Sequence, residues 1–404
     1  MQGEIFVNCL QWKRPDLELK SQSKQVVAEL LQTIEQKGDS RIDELSQQFD
    51  GFAPSFIHLK PFADYPLSDE LAESIKSAAQ RIETFCHFQK QQLEDKYFED
   101  ETGRYGFCYK PINRIGAYIP GGRYPLISTA LMTLIPARIA GSEQRIACSP
   151  SNHPAILAAA SLAGATEFLH LGGAQAIAAL AYGYQSCTPV QMIVGPGNQY
   201  VNAAKQLLQN KVAIDVAAGP SELLILAGKN INNEWIIADM AAQAEHDPQA
   251  VSILVSECEQ TLSKVKSAIQ SNQEIAKLQA TGQIVLLKAD DIEQMIKFSD
   301  SYAPEHLLLA DERIDSQQLT HYGSLFIGEN SAVAFGDYCS GPNHTLPTMG
   351  TANRSSGLSV LSFMKQQSIQ QVSDRGRIEL AKIGERLAEA EQLVWHKRSM
   401  QVRS

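Results

Sequence analysis

Arg114-Ile115-Gly116-Ala117-Tyr118-Ile119 is a short apolar run with Pro111 just upstream and Pro120-Gly121-Gly122 immediately after it. It is too short for a stable helix and is bounded by turn formers, so it reads as a buried strand. The signals that follow alternate. A helix over 131–139 leads to the strand Arg145-Ile146-Ala147-Cys148, then a helix from His153 and the strand Glu167-Phe168-Leu169-His170-Leu171. A helix from Gln175, a strand over 190–194 and a helix from Asn198 complete the set. The alternation restarts at Glu222-Leu223-Leu224-Ile225-Leu226-Ala227 and continues through a helix over 232–244 and a strand over 251–255. A helix over 260–269, the strand Gln283-Ile284-Val285-Leu286-Leu287, a helix over 292–298 and a strand over 306–310 follow. Strands alternating with helices make parallel sheets covered on both faces. The fold class is therefore α/β, with two consecutive doubly wound, incomplete Rossmann-like domains over 111–220 and 221–350.

Both flanks read as helical. In 1–110, Leu71, Ile75, Ala78, Ile82 and Phe85 recur at three- and four-residue spacing behind a capping Ser68, which predicts helices packing on the core. In 351–404, Ile378, Ile383, Leu387, Ala390 and Val394 fall on one face of a charged helix. Such a terminal arm docks on its own domain or reaches across a dimer.

The 404 residues, 44% of them hydrophobic, suffice for several cores. A formal charge of −10 and no basic run interleaved with aromatics argue against nucleic acid as a partner. No window approaches the roughly 18 apolar residues of a membrane span, and Met1-Gln2-Gly3-Glu4-Ile5 has no export pattern, so a cytoplasmic location is expected. The seven scattered cysteines include no Cys-x-x-Cys. They imply neither a disulfide framework nor a thiolate metal site.

Two kinds of stretch carry chemistry. Glycine-bearing junctions at strand-to-helix turns (Pro120-Gly121-Gly122, Gly172-Gly173-Ala174-Gln175, Gly195-Pro196-Gly197-Asn198, Gly219-Pro220-Ser221-Glu222) suit ligands with phosphate, because helix N-terminal NH groups point outward there. None completes G-x-G-x-x-G, since Tyr200 stands where the third glycine is needed. The second kind is acid–base. Glu305 and His306 follow Pro304 at the entry to a strand, as either a polar strand edge or a proton-transfer pair; Pro304 biases Ala303 towards extended backbone. Gln243 and His246 share a helix face, which fits a metal pair and equally a helix-terminal histidine meeting the dipole. Asp337 and His344 sit in a Gly/Pro-rich loop, and Glu391 and His396 lie in the C-terminal arm.

Together, Tyr118-Ile119-Pro120-Gly121-Gly122, Gly172-Gly173-Ala174-Gln175, Val194-Gly195-Pro196-Gly197-Asn198, Ala218-Gly219-Pro220-Ser221-Glu222, Gln243-Ala244-Glu245-His246, Ala303-Pro304-Glu305-His306 and Asn343-His344-x-Leu346-Pro347 resemble, in this order, the histidinol dehydrogenase family. The resemblance implies oxidation of L-histidinol through L-histidinaldehyde to L-histidine, the last steps of histidine biosynthesis, with NAD and one zinc per subunit. It implies zinc ligands Gln243, His246, Asp337 and, from the partner subunit of a homodimer, the arm residue at position 396, His396 in this sequence. Glu305 and His306 become the catalytic pair. Ser221, His344 and Glu391 become substrate contacts beside His306 and the four metal ligands; Tyr118, Gln175 and Asn198 become NAD contacts. Arg123-Tyr124 departs from the smaller residues common after the double glycine. The alternative is a sister dehydrogenase of the same fold oxidising another small polyol or amino alcohol.

Overall fold

The structure is a computed structural model that describes residues 6–15, 21–121, 125–215, 219–245 and 247–404, with the backbone alone at 21 and 22. Arg123, Tyr124, Ala218 and His246 lie outside the described residues.

The amino-terminal part contains β1 (Val7–Asn8), α1 (Ser21–Lys37), α2 (Asp39–Phe49), β2 (Ser55–Ile57), α3 (Asp69–Lys90), β3 (Lys96–Asp100) and β4 (Gly103–Pro111). The first α/β unit runs through β5 (Arg114–Tyr118), α4 (Ile127–Ala140), β6 (Gln144–Ser149), α5 (Pro154–Ala163), β7 (Glu167–His170), α6 (Gly173–Tyr182), β8 (Met192–Val194), α7 (Gln199–Leu208) and β9 (Ala213–Ile214). The second has β10 (Glu222–Ala227), α8 (Asn233–Glu245), β11 (Val251–Ser256), α9 (Glu259–Ser271), α10 (Gln273–Ala280), β12 (Ile284–Lys288), α11 (Ile292–Tyr302), β13 (His306–Ala310), β14 (Ser324–Ile327) and the short α12 (Val333–Tyr338). β15 (Met364–Val372), α13 (Asp374–Ala390) and α14 (Val394–Gln401) close the chain.

Among the described residues the strands form two six-stranded sheets, β2-β7-β6-β5-β8-β9 and β1-β12-β11-β10-β13-β14, and a three-stranded one, β15-β4-β3. Both large sheets are parallel apart from the antiparallel edge strand β2. Each is a doubly wound sheet whose strand order reverses once, between β5 and β8 in the first and between β10 and β13 in the second. Apolar side chains fill both faces: Ile146, Leu169 and Ile193 on one side of the first sheet, Ala117, Phe168 and Val194 on the other. The second sheet divides likewise, with Leu224, Leu226 and Leu307 on one face and Leu223, Ile225 and Leu308 on the other. This is why these strands read as unbroken apolar runs rather than alternating ones.

The flanks differ from the helical expectation. The amino-terminal part lends one edge strand to each large sheet, β1 to the second and β2 to the first, and folds β3 and β4 into a hairpin. The expected helical 351–404 arm begins with a strand: all nine residues of β15 pair antiparallel with β4. Met-Lys-Gln-Gln-Ser-Ile-Gln-Gln-Val is mostly exposed and has no apolar period of its own, so its conformation comes from a partner distant in sequence. The single predicted terminal helix is two, broken where Gln392 takes a positive φ of 60°. Ile383, Leu387, Val394 and Trp395 on that pair are exposed. Among the described residues no helix is long and apolar enough to cross a membrane.

Candidate active site between the two sheets

At the carboxyl end of the first sheet, three loops meet beside the reversal of strand order, where open α/β sheets accept ligands. Tyr118, at the end of β5, is buried and its hydroxyl accepts the Gly173 NH at 3.2 Å; burial raises its pKa. Gln175 is buried and donates its amide to Asp50 at 3.1 Å; the same carboxylate oxygen accepts the Gly172 NH at 3.1 Å. Asn198 is exposed and caps α7, accepting the NH groups of Tyr200 and Val201 at 3.0 and 3.1 Å. The three expected NAD contacts are thus tied into the loops that frame this end of the sheet, and Asp50 joins them from the amino-terminal part.

Gly195 starts the last of these loops. Its φ is 109°, and a Cβ there would lie 2.1 Å from the Tyr118 carbonyl oxygen, so only glycine fits. Its NH donates to Asp215 at 2.6 Å and its carbonyl accepts from the Lys205 ammonium at 2.8 Å. Lys205 and Asp215 pair with each other, both about 1% exposed. Lys205→Met leaves the Asp215 carboxylate buried without its cation and is expected to cost about 3–5 kcal/mol, read as a loss of urea unfolding free energy. The double variant Lys205→Met/Asp215→Leu should recover most of it.

The second sheet places its polar cluster at the opposite edge, the amino ends of β10, β13 and β14. Glu305 precedes β13 and His306 opens it, both buried. Ala303 is not extended, as its position before proline suggests. It caps α11 in the left-handed region (φ 47°, ψ 66°), with its NH on the Ser299 carbonyl at 2.8 Å. A left-handed alanine costs roughly 1–2 kcal/mol, and it turns the chain sharply from α11 into Pro304 and the strand.

The geometry around the pair is specific. Glu305 Oε2 accepts the NH of Glu222, first residue of β10, at 2.8 Å and lies 3.6 Å from His306 Nδ1. His306 Nδ1 is also 3.3 Å from the Glu222 carbonyl oxygen. A carbonyl only accepts, so this contact assigns the proton of neutral His306 to Nδ1 and leaves Nε2 basic. Nε2 faces Asp337 Oδ1 at 3.8 Å. Burial, with the nearby Glu222 and Asp337 carboxylates adding to it and the Glu222 NH opposing it, holds the Glu305 pKa well above the carboxylate range. Burial alone pushes Asp337 up to about 7.

The remaining candidates divide into those that gather here and those that do not. His344 Nδ1 contacts the Asp337 carbonyl at 2.8 Å, and Ser221 adjoins Glu222 and receives the Val251 NH on its carbonyl at 3.1 Å. Gln243 is buried near the end of α8, an end held by Gln283, whose amide donates to the Ala244 and Asp247 carbonyls at 2.8 and 3.0 Å. Glu391 and His396 are exposed, and among the described residues no hydrogen bond or ion pair joins them to the cluster. Sequence reasoning also passed over three buried or partly buried charges. Asp239, one turn before Gln243, accepts the Val333 NH and so ties α8 to the start of α12, which carries Asp337; burial raises its pKa to about 6. Arg14 and Glu222 pair at 2.8 Å directly behind Glu305.

The loop between α12 and β15 closes the cluster from the first unit's side. Asn343 donates to the Met132 carbonyl on α4 at 2.6 Å, the Cys339 carbonyl accepts from Arg81 on α3 at 2.7 Å, and Leu358, Val360 and Phe363 enter the first unit's core. A buried imidazole between two desolvated carboxylates is equipment for moving protons in a site shielded from water.

Known proteins settle the kinship. The histidinol dehydrogenase family model matches residues 13–404. The chain belongs to the histidinol dehydrogenase family. The histidinol dehydrogenase of Parasynechococcus marenigrum is 40% identical over 95% of this chain and 92% of that one, and that of Methanothermobacter thermautotrophicus is 39% identical over 93% and 92%. The crystal structure of histidinol dehydrogenase from Elizabethkingia anophelis superposes with a TM-score of 0.87 at 37% identity, covering 97% of this chain and 93% of that one. Membership in the histidinol dehydrogenase family makes the protein an oxidoreductase, and the same fold accounts for both doubly wound sheets.

Proposed function

We propose that this protein oxidises L-histidinol by way of L-histidinaldehyde to L-histidine, using NAD and zinc. The observation that carries the reading is the cluster of buried Glu305 and His306 with partly buried Asp337 at the amino ends of β10 and β13. Oxidation of a primary alcohol needs a base for the hydroxyl proton as hydride leaves carbon. His306, with Nε2 unprotonated, fills that role. The aldehyde must then gain water, and Glu305, whose proton affinity burial has raised, takes the proton from it. NAD, when bound, supplies the hydride acceptor at each oxidation, and the loops at 118–121, 172–175 and 195–198 would hold it.

The donors suit zinc. Among the described residues Asp337, partly buried, has no Lys or Arg paired to it, and the Gln243 side chain has no hydrogen-bond partner. Among those residues no three His, Cys, Asp or Glu side chains group to hold a metal. Gln243 and Asp337 would hold it together with His246, outside the described residues, and position 396 of a second copy. Zinc, when bound, supplies a Lewis-acidic centre that orients the substrate's nitrogens. Ser221 and His344 line the same end of the sheet, with Glu391 reaching it on the partner's arm.

A homodimer is supported by what one chain leaves exposed. Leu387, Val394 and Trp395 are uncovered on the terminal helices. Tyr97, Phe98, Tyr105, Phe107 and Ile369 line a concavity of about 520 Å³ on the three-stranded sheet. Apolar surface of this kind marks protein contacts.

An assay of purified protein tests the reading. Histidinol should reduce NAD twice per molecule, a chelator should abolish turnover, and zinc should restore it. Turnover of a sulfonated diol in preference to histidinol would instead place the protein with sister enzymes of the same fold.

A further inference from the structure

We propose that Arg14 and Glu222 act as a positioning clamp that fixes the peptide of Glu222 against both proton-transfer groups, so that a side chain in the amino-terminal segment sets the catalytic geometry of Glu305 and His306. The proposal rests on the reading of that pair given above. One residue's backbone touches both groups: the Glu222 NH donates to Glu305 Oε2 at 2.8 Å, and its carbonyl lies 3.3 Å from His306 Nδ1. Rotation or displacement of that peptide would release the carboxylate and remove the contact that selects the imidazole tautomer. β-Sheet pairing restrains the peptide from one side, since Leu223 pairs with His306. The side chain restrains it from the other.

The Glu222 carboxylate is held as in a vice. Arg14 Nη2 donates to Oε2 at 3.2 Å and Nε lies 2.8 Å from Oε1 as an ion-pair contact, and the Met349 NH donates to Oε2 at 3.1 Å. Arg14 Nη2 also donates to the Tyr302 carbonyl at 2.6 Å, and its guanidinium lies over the Tyr302 ring, 3.9 Å from the centroid. Tyr302 is the last residue of α11, immediately before the left-handed Ala303 and then Pro304 and Glu305. Met349 has a φ of 56°, and at Gly350, with φ 73°, a Cβ would stand 2.6 Å from Arg14 Nη1. A single cation therefore joins the start of β10, the turn into β13 and the loop at 348–350, and two of those three segments carry a residue other than glycine in the left-handed region. Trp12 anchors the segment, packing on Phe298 and Tyr302 with ring centroids 6.3 and 5.8 Å apart.

A purely structural staple would also be buried and paired, so the test asks whether Arg14 acts through Glu305. Arg14→Met, Arg14→Lys, Glu222→Gln and Glu305→Gln are made singly, and Arg14→Met is combined with Glu305→Gln. Melting temperature, zinc content, KM for histidinol and single-turnover rates of the two oxidation steps are measured on each. Arg14→Met and Glu222→Gln should slow the aldehyde-to-acid step by about 10- to 100-fold, and slow the alcohol step too because the same peptide contacts His306, with KM and zinc content within about twofold of the parent. Arg14→Lys, which keeps the charge and loses the planar group that reaches Glu222 and the Tyr302 carbonyl together, should fall between them and the parent. In the Glu305→Gln background Arg14→Met should add little to the loss in the aldehyde step. Equal fold losses of the aldehyde step in both backgrounds, or losses that follow the melting temperature alone, would overturn the clamp. A Glu305→Gln protein with an unimpaired aldehyde step would overturn the assignment of Glu305 itself, and the clamp with it.

Discussion

The Glu305→Gln protein is expected to oxidise histidinol to the aldehyde and then stall. Glutamine keeps an oxygen that can accept the Glu222 NH, now at 2.8 Å, so the local geometry survives, but it cannot take a proton from water. Loss of a general base costs about 10²–10⁴-fold, and the loss should fall on the aldehyde-to-acid step, with the alcohol step slowed by no more than about tenfold. His306→Gln should show the reverse weighting, because its Nε2 is the basic nitrogen for the hydroxyl proton. Single-turnover measurements started from histidinol and from histidinaldehyde separate the two. Equal slowing of both steps by Glu305→Gln would refute the division of labour. The pH profile gives a second check of sign. Burial raises the Glu305 pKa, so the carboxylate becomes a competent base only as pH climbs past that raised value, and the aldehyde step should lose rate on acidification well before an ordinary carboxylate would protonate. The Glu305→Gln protein should lack that limb.

The alternation of strands and helices is legible because each strand buried on both faces must be apolar throughout, which Glu222-Leu223-Leu224-Ile225-Leu226-Ala227 shows without reference to any other part of the chain. β1 and β15 are illegible for the opposite reason. Two residues at β1 and a Gln-rich run at β15 owe their conformation to β12 and β4, and no local pattern encodes a partner hundreds of residues away. The same distinction governs the site. Glu305 and His306 stand out because two proton-transfer residues are adjacent at a strand entry. Arg14 and Glu222 are 208 positions apart, and Glu222 reads simply as the polar first residue of a strand. Which end of the sheet holds the cluster was also beyond periodicity. The first sheet offers its loops at the carboxyl edge, as doubly wound sheets do. The second gathers its polar residues at the amino edge, beneath a loop whose far part is buried in the first unit's core. The proton-transfer pair also adjoins one of the proposed metal ligands, since His306 Nε2 faces Asp337 at 3.8 Å.

Mixing two inactive proteins should restore activity if a second copy completes each site. His396→Ala removes a proposed ligand carried on α14, and Asp337→Ala removes a proposed one carried on α12; each homodimer would then have two broken sites. His396 is exposed, beside a Trp395 that is 81% exposed, and among the described residues no hydrogen bond or ion pair joins it to the cluster. After random subunit exchange half of the dimers are mixed, and in each of these one site combines the intact Asp337 of one chain with the intact arm of the other. Activity should therefore return to about a quarter of the parental level, with zinc content recovering in proportion. Sites built within single chains would give no recovery, because every site would still contain one defect. Exchange can be followed independently by a size tag on one variant, so that inactivity of a demonstrably mixed dimer counts against the shared site, whereas recovery together with bound zinc places position 396 in its neighbour's metal shell.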